Sequence, residues 1–418
     1  MKHLTRTSCV AAVLTVSSMV STSVVAEGDI QVGHLTYHTG EYGGFGEFFD
    51  AVTDFSLEVI NDDPPLGRKL VPIHQDIGTI GEARAARKLI DSENVDVLLN
   101  AAHSYMSYRD YVLEKVAGDS VPLMPSVHGG AIEAQYGGNP TEPLFRGSPM
   151  DSAQGAAALL HAKNAGKSSI VLVATEAAGS QLQKNAAEKA AGKLGIEILG
   201  TVDIQPNQAN YRSVVSKVNA LKPEAVIVFS APADGGSFVK NAAEAGNSWF
   251  IIGTSEWQEP GFISTATMSA VEKHEEVVLA AFSNDESPAW EYYKPRAEAS
   301  KYADAIGDVS NSYAIQYFDL LVATALAIEK TGTIEAASWA DAMHDVTAGD
   351  GEVVYTYADG IAALRAGKDI NYDGVTGTME YTDTGVVAGI FGIFKWASEE
   401  KLERVAVADG KAVLELDQ

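Results

Sequence analysis

Basic side chains are scarce in this sequence and thiols are nearly missing. Thirty Lys and Arg stand against 56 Asp and Glu, a formal net charge of −26 over 418 residues. A surface of that sign repels both nucleic-acid phosphates and anionic lipid, so neither is expected as a partner. The one cysteine, Cys9, falls within the first 26 residues. Beyond them there is no thiol for a disulfide, a thiolate metal ligand or a nucleophile. No run after residue 26 is long and apolar enough to span a bilayer. Also missing are a G-x-S-x-G elbow, H-E-x-x-H, the phosphate loop G-x-x-x-x-G-K-[ST], and G-x-G-x-x-G after the first predicted strand. Nothing here argues for an enzyme, and no cofactor is expected.

Residues 1–26 combine a basic start at Lys2 and Arg6, an apolar stretch from Val10 to Val20 and a small-residue end at Val24-Val25-Ala26. That pattern predicts a secretory signal peptide cleaved near Ala26. Thr15, Ser17, Ser18 and Ser21 interrupt a run already too short for a membrane anchor. The whole sequence is 46% hydrophobic, too apolar for a disordered chain, and it is too long for one compact core, so two domains are expected.

Short β-type runs at Ile30–Leu35, Leu70–Gln75, Val95–Leu99 and Val121–Met124 alternate with helical stretches at Phe45–Ile60, Glu82–Asp91 and Ser104–Val116. The alternation restarts at Ser152–Lys163 and runs through Ser169–Ala174, Ala225–Phe229 and Phe250–Ile252 to Glu276–Phe282. It predicts an α/β protein of two doubly wound, mainly parallel sheets. No Pro/Ser-rich linker separates the halves, which implies that the chain crosses between them more than once.

In open parallel sheets ligands sit beyond the carboxyl ends of the strands, so the turns there are the candidate site. The first turn, His34 to Gly46, carries Tyr37 and Phe45 among glycines that let backbone approach a ligand. The third strand ends at Asn100-Ala101-Ala102-His103-Ser104-Tyr105, where Ser104 is placed to cap the next helix and donate to an anion. The fourth ends at Pro125-Ser126-Val127-His128. No third ligand stands at metal-site spacing from His103 and His128, which favours a polar lining over a metal site. In the second half, Glu256-Trp257 places a carboxylate beside an indole, a pairing suited to a ligand ammonium; a surface Glu beside a packing Trp is the plainer alternative.

The order of these turns, with Phe145-Arg146-Gly147-Ser148-Pro149-Met150-Asp151-Ser152 and Ile370-Asn371-Tyr372-Asp373-Gly374-Val375-Thr376-Gly377, resembles the leucine/isoleucine/valine-binding branch of the type I periplasmic binding proteins. The resemblance runs from about Asp29 to Trp396. It implies two lobes joined by three hinge segments, lobe one at 27–147 plus 284–376 and lobe two at 148–283 plus 377–418, with the solute held between them. It implies a periplasmic receptor that hands an amino acid or similar small polar solute to an inner-membrane ABC permease, and the receptor is expected to be a monomer. His103, Ser104, Val127 and His128 would hold the ligand carboxylate, Glu256 its ammonium, and Phe45 would close over its side chain. A same-fold sensor that docks on a chemoreceptor or regulator is an alternative, and a hydrolase built on Ser104 and His103 a distant one, since neighbouring residues rarely achieve that geometry. Asp369 to Glu380 formally matches an EF-hand calcium loop, but the strand pattern after it favours a hairpin.

Overall fold

The computed structural model describes residues 28–40, 43–101, 104–127, 130 and 137–418. Residues 1–26, read above as a signal peptide, lie outside them. In the first sheet β1 (Ile30–Thr36) lies between β2 (Leu70–Asp76) and β3 (Val97–Leu99), all parallel. A bridge from Val97 to Leu123 extends it toward β4 (Met124–Ser126), which pairs in parallel with β5 (Leu144–Arg146).

The second sheet contains five parallel strands, β6 (Ser169–Thr175), β7 (Glu197–Ile204), β8 (Ala225–Phe229), β9 (Phe250–Gly253) and β10 (Glu276–Phe282). Helices cover both faces, so the central strands are apolar throughout rather than alternating, and every residue of β8 is buried. After a small sheet of β11 (Glu352–Val354), β12 (Ile370–Gly374) and β13 (Gly377–Thr378), the chain returns as β14 (Ile390–Ser398) and β15 (Lys401–Asp409). These two close the second sheet antiparallel, in the order β15-β14-β10-β9-β8-β6-β7.

Core membership sorts the chain into two bodies. Buried apolar residues between Ile30 and Phe145 and between Ala289 and Val387 pack together, and those between Ala153 and Ala281 pack with Phe391 to Leu416. The chain therefore crosses three times. The third crossing differs from the sequence reading, which put it after Thr376: Met379, Tyr381 and Val387 pack in the first body, so the crossing falls near Gly389. There φ is +60° and the backbone lies against Pro149 of the first crossing, a position that favours glycine.

The first two crossings are each tied down by an arginine, and a buried aspartate holds the segment that leads to the third. The buried Arg146 guanidinium donates to the carbonyls of Ser148 and Pro149 and to Asp151 at 3.0 Å. Arg404 donates to Ser283 Oγ and the Asn284 carbonyl at 3.0 and 2.7 Å. Asp319, fully buried in the helix Ser312–Thr331, accepts from the Tyr372 hydroxyl (2.8 Å), the Val375 N–H (3.0 Å), and the N–H and hydroxyl of Thr376 (2.7 and 2.6 Å). A Cβ on Gly374 would stand 2.4 Å from that carboxylate, which accounts for Asp-Gly in the run. The calcium-like segment is a hairpin, with Asp373 opposite Thr378, Asp369 paired to Lys330 and Glu380 to Lys411.

Candidate functional site

Between the two bodies lies a cleft of about 810 Å³. Its second-body wall is polar. The turn after β9 is a 3-10 segment, Ser255–Gln258, which points Glu256 outward and Trp257 inward. Thr254 donates its hydroxyl to Glu256, and Gln183 Nε2 stands 3.5 Å from the other carboxylate oxygen. Gln154 fixes the turn from below by accepting the Ser255 N–H at 2.9 Å. Gln183 is buried, yet its Oε1 has no hydrogen-bond partner, so an acceptor stands beside Glu256.

The facing wall comes from the first body. Asn311 caps the helix Ser312–Thr331 by accepting the Tyr313 N–H at 2.9 Å, and this cap sets Tyr313 at the cleft. Its ring meets Phe49 edge-on at 6.0 Å, and Phe49 also contacts Phe45 and Tyr37 at 6.0 and 5.6 Å. Burial, with the carboxylates of Asp151, Glu256 and Glu259 nearby, pushes the Tyr313 hydroxyl up. The acids of one wall thus lie opposite an aromatic of the other. Asp151, Glu256, Glu259 and Asp308 line the cleft, and no Lys or Arg does so among the described residues.

The nominated residues divide accordingly. Glu256 lines the cleft, and Phe45 is half exposed at the edge of the aromatic group. Tyr37 is buried behind that group, against Phe49. Trp257 is placed in the core instead: it is fully buried, stacks on Phe262 at 4.4 Å and donates its indole N–H to Ser230 Oγ. Added Cβ atoms on Gly235 and Gly253 would come within 2.3 and 2.2 Å of its ring, so the glycines exist to admit the indole.

Tyr105 also turns inward, donating to Glu142, which Arg109 clamps at 2.7 Å. Ser104 is exposed but does not cap a helix with its side chain: it precedes a 3-10 turn, Tyr105–Ser107, and gives its N–H to Glu82 at 2.8 Å. Val127 is buried, its carbonyl accepting from Ser148 at the first crossing at 2.6 Å. His103 and His128 lie outside the described residues. Sequence reasoning missed Gln154, Gln183 and Tyr313; for Tyr313 the available signal was the Asn311 cap at the head of a long apolar helix.

The geometry defines a two-bodied α/β protein with a cleft between the bodies, lined at the first two crossings by Asp151 and by Ser283 and Asn284. The chain belongs to the periplasmic binding protein family, which it matches over residues 29–386. No curated protein matches the sequence. Solved structures with the same fold include an ABC transporter substrate-binding protein from Sphaerobacter thermophilus (15% identity, TM-score 0.69, covering 91% of this chain and 98% of that one). Others are the leucine-binding protein LivK from Thermotoga maritima (16%, 0.65, 91% and 99%) and a solute-binding protein from R. palustris in complex with benzoate (18%, 0.61, 91% and 97%).

Replacing Phe45 with Ala removes a half-exposed ring of the aromatic group that backs Tyr313 through Phe49, while leaving the core intact. Solute binding is expected to weaken by about 1–2 kcal/mol, roughly five- to thirty-fold, with an unchanged melting temperature. Calorimetry with the best-binding solute checks it.

Proposed function

We propose that this protein is the solute-capturing receptor of an ABC importer, exported to the periplasm, and that it binds a small molecule carrying an ammonium group. The observation that supports this most directly is the meeting in one cleft of the Tyr313 ring with the carboxylates of Asp151, Glu256 and Glu259 and an unpartnered Gln183 acceptor. An ammonium in such a site gains from Glu256 electrostatically and donates a hydrogen bond to the free Gln183 Oε1. An aromatic carboxylate such as benzoate, which the R. palustris protein holds, would meet like charge on this rim. An amino-acid-type solute fits better, and LivK and related amino-acid receptors share the fold.

The protein works as a monomer without catalysis. Lobe one is proposed to comprise 27–147 and 284 to about 388, and lobe two 148–283 and about 389–418. The lobes close on the solute, because each contributes contacts that only the closed form combines, and the closed form is what a permease recognises. A thermal-shift screen of amino acids, amides, betaines and aromatic acids, followed by calorimetry and product analysis, tests the reading. Stoichiometric binding of an ammonium-bearing solute, recovered unchanged, is expected. A preference for simple anions, or turnover of the solute, would overturn it.

A further inference from the structure

A second cluster of functional side chains lies in the first body, apart from the cleft. His34 and His74 are register partners across the parallel strands β1 and β2, so their imidazoles leave the sheet on the same face. On the helix Gly46–Ile60, Asp50 and Asp54 are one turn apart and face these strands. The result is two imidazole nitrogens and one carboxylate oxygen in a tight triangle. His34 Nδ1 to His74 Nδ1 is 2.9 Å, His74 Nδ1 to Asp50 Oδ1 is 3.2 Å and His34 Nδ1 to Asp50 Oδ1 is 3.5 Å.

We propose that His34, His74 and Asp50 form a binding site for a transition-metal dication of the zinc class, tying β1, β2 and the first long helix together. Ligand atoms about 2.0–2.1 Å from a tetrahedral metal lie about 3.3–3.4 Å apart, and the three separations bracket that spacing. Two imidazoles and one carboxylate are a donor set this class of ion selects, and three protein ligands leave a fourth position open.

Three further observations point to a ligand and not only to a proton network. Asp50 Oδ1 is buried and within reach of both imidazoles, yet forms no aligned hydrogen bond; buried carboxylate oxygens seldom stay unbonded without a reason. His74 Nε2 is held by Asp54 at 3.1 Å, the outer carboxylate that typically orients a metal-bound histidine. His74 and Asp50 are also partly exposed, at 25% and 21% of their side chains, which gives an ion a way in.

The protonation states agree with this geometry. Burial, and then the neighbouring His74, push His34 down to about 3 and keep it in the neutral, ligating form. Burial of His74 is outweighed by the neighbouring carboxylates of Asp50 and Asp54, which raise it to about 9.

The test uses the full, untagged chain stripped with a chelator and titrated with Zn²⁺ alone. One ion per chain is expected, with a melting temperature raised by several degrees and restored by chelator. His34→Gln and His74→Gln should each weaken Zn²⁺ binding about a hundred-fold, and Asp54→Asn about ten-fold. Co²⁺ on the wild-type protein should give the intense visible absorption of a low-coordinate site. Absence of stoichiometric binding, or binding that survives loss of both histidines, overturns the proposal. If those variants do not fold, anomalous scattering at the zinc edge from wild-type crystals decides: a peak between the three ligand atoms supports the site, and a peak elsewhere or none rejects it. The result is independent of which solute the cleft takes, because none of the three ligands lines the cleft.

Discussion

Glu256→Gln is expected to weaken binding of an ammonium-bearing solute by about 2 kcal/mol or more, at least thirty-fold, with little change in stability. The carboxylate is exposed at the cleft, anchored by the Thr254 hydroxyl and flanked by Gln183. The amide keeps the size and one acceptor oxygen, so the loss isolates charge from shape. The neighbouring acids, Asp151 and Glu259, lie in the same field and would retain some attraction. For that reason the double change Glu256→Gln with Asp151→Asn should exceed either alone, and an uncharged analogue of the solute should be nearly indifferent to both. Calorimetry across the four proteins reads the effect directly. Equal affinity of wild type and Glu256→Gln for the cationic solute would remove this residue from the pocket.

The second large effect concerns stability. Asp319→Ala should destabilise the protein by about 3–5 kcal/mol, seen as a fall in melting temperature or in the urea midpoint of the first unfolding transition. The carboxylate is fully buried and accepts four hydrogen bonds from Tyr372, Val375 and Thr376. Truncation leaves those donors without partners in a place water does not reach, and a small cavity with them. Gly374→Ala strikes the same contact from the other side, because its methyl would meet the carboxylate at 2.4 Å. Both variants should therefore lower stability, and Asp319→Asn, which keeps the volume, should fall between them and the wild type. A change below about 1 kcal/mol for Asp319→Ala would mean that this segment is held by its backbone alone.

Much of the second sheet was legible in the sequence because its strands are buried on both faces. Ala225–Phe229 and Glu276–Phe282 are apolar runs that read as strands without any alternation to interpret, and they occupy those residues in the structure. Short elements were harder. β5, Leu144–Arg146, and β11, Glu352–Val354, span three residues each, too few to show a period. The stretch from Ser104 to Val116 reads as one helix, but Tyr108, at φ −134°, divides it into a 3-10 turn and the helix Arg109–Val116. The strand pattern after the Asp369–Glu380 segment yields only the two-residue Gly377–Thr378, with an isolated bridge from Tyr381 to Val387.

The site shows the same division between local and distant information. Glu256 and Trp257 are neighbours in sequence and were nominated together, but a 3-10 turn sends consecutive side chains to different sides, one to the cleft and one into the core. What told them apart was Gly235 and Gly253, whose missing side chains make room for the indole. Gln154, Gln183 and Tyr313 reach the cleft from three different helices, and no local pattern marks that convergence. His34 and His74 are likewise brought together only by strand register across 40 residues.

The central claim is that two bodies close over one small molecule and give it back unaltered. Small-angle X-ray scattering of the protein with and without its tightest solute tests this most directly, with the solute recovered afterwards and analysed. The expected result is a smaller radius of gyration in the bound state and an intact solute. An unchanged radius at saturating solute, or a chemically altered solute, would contradict the account.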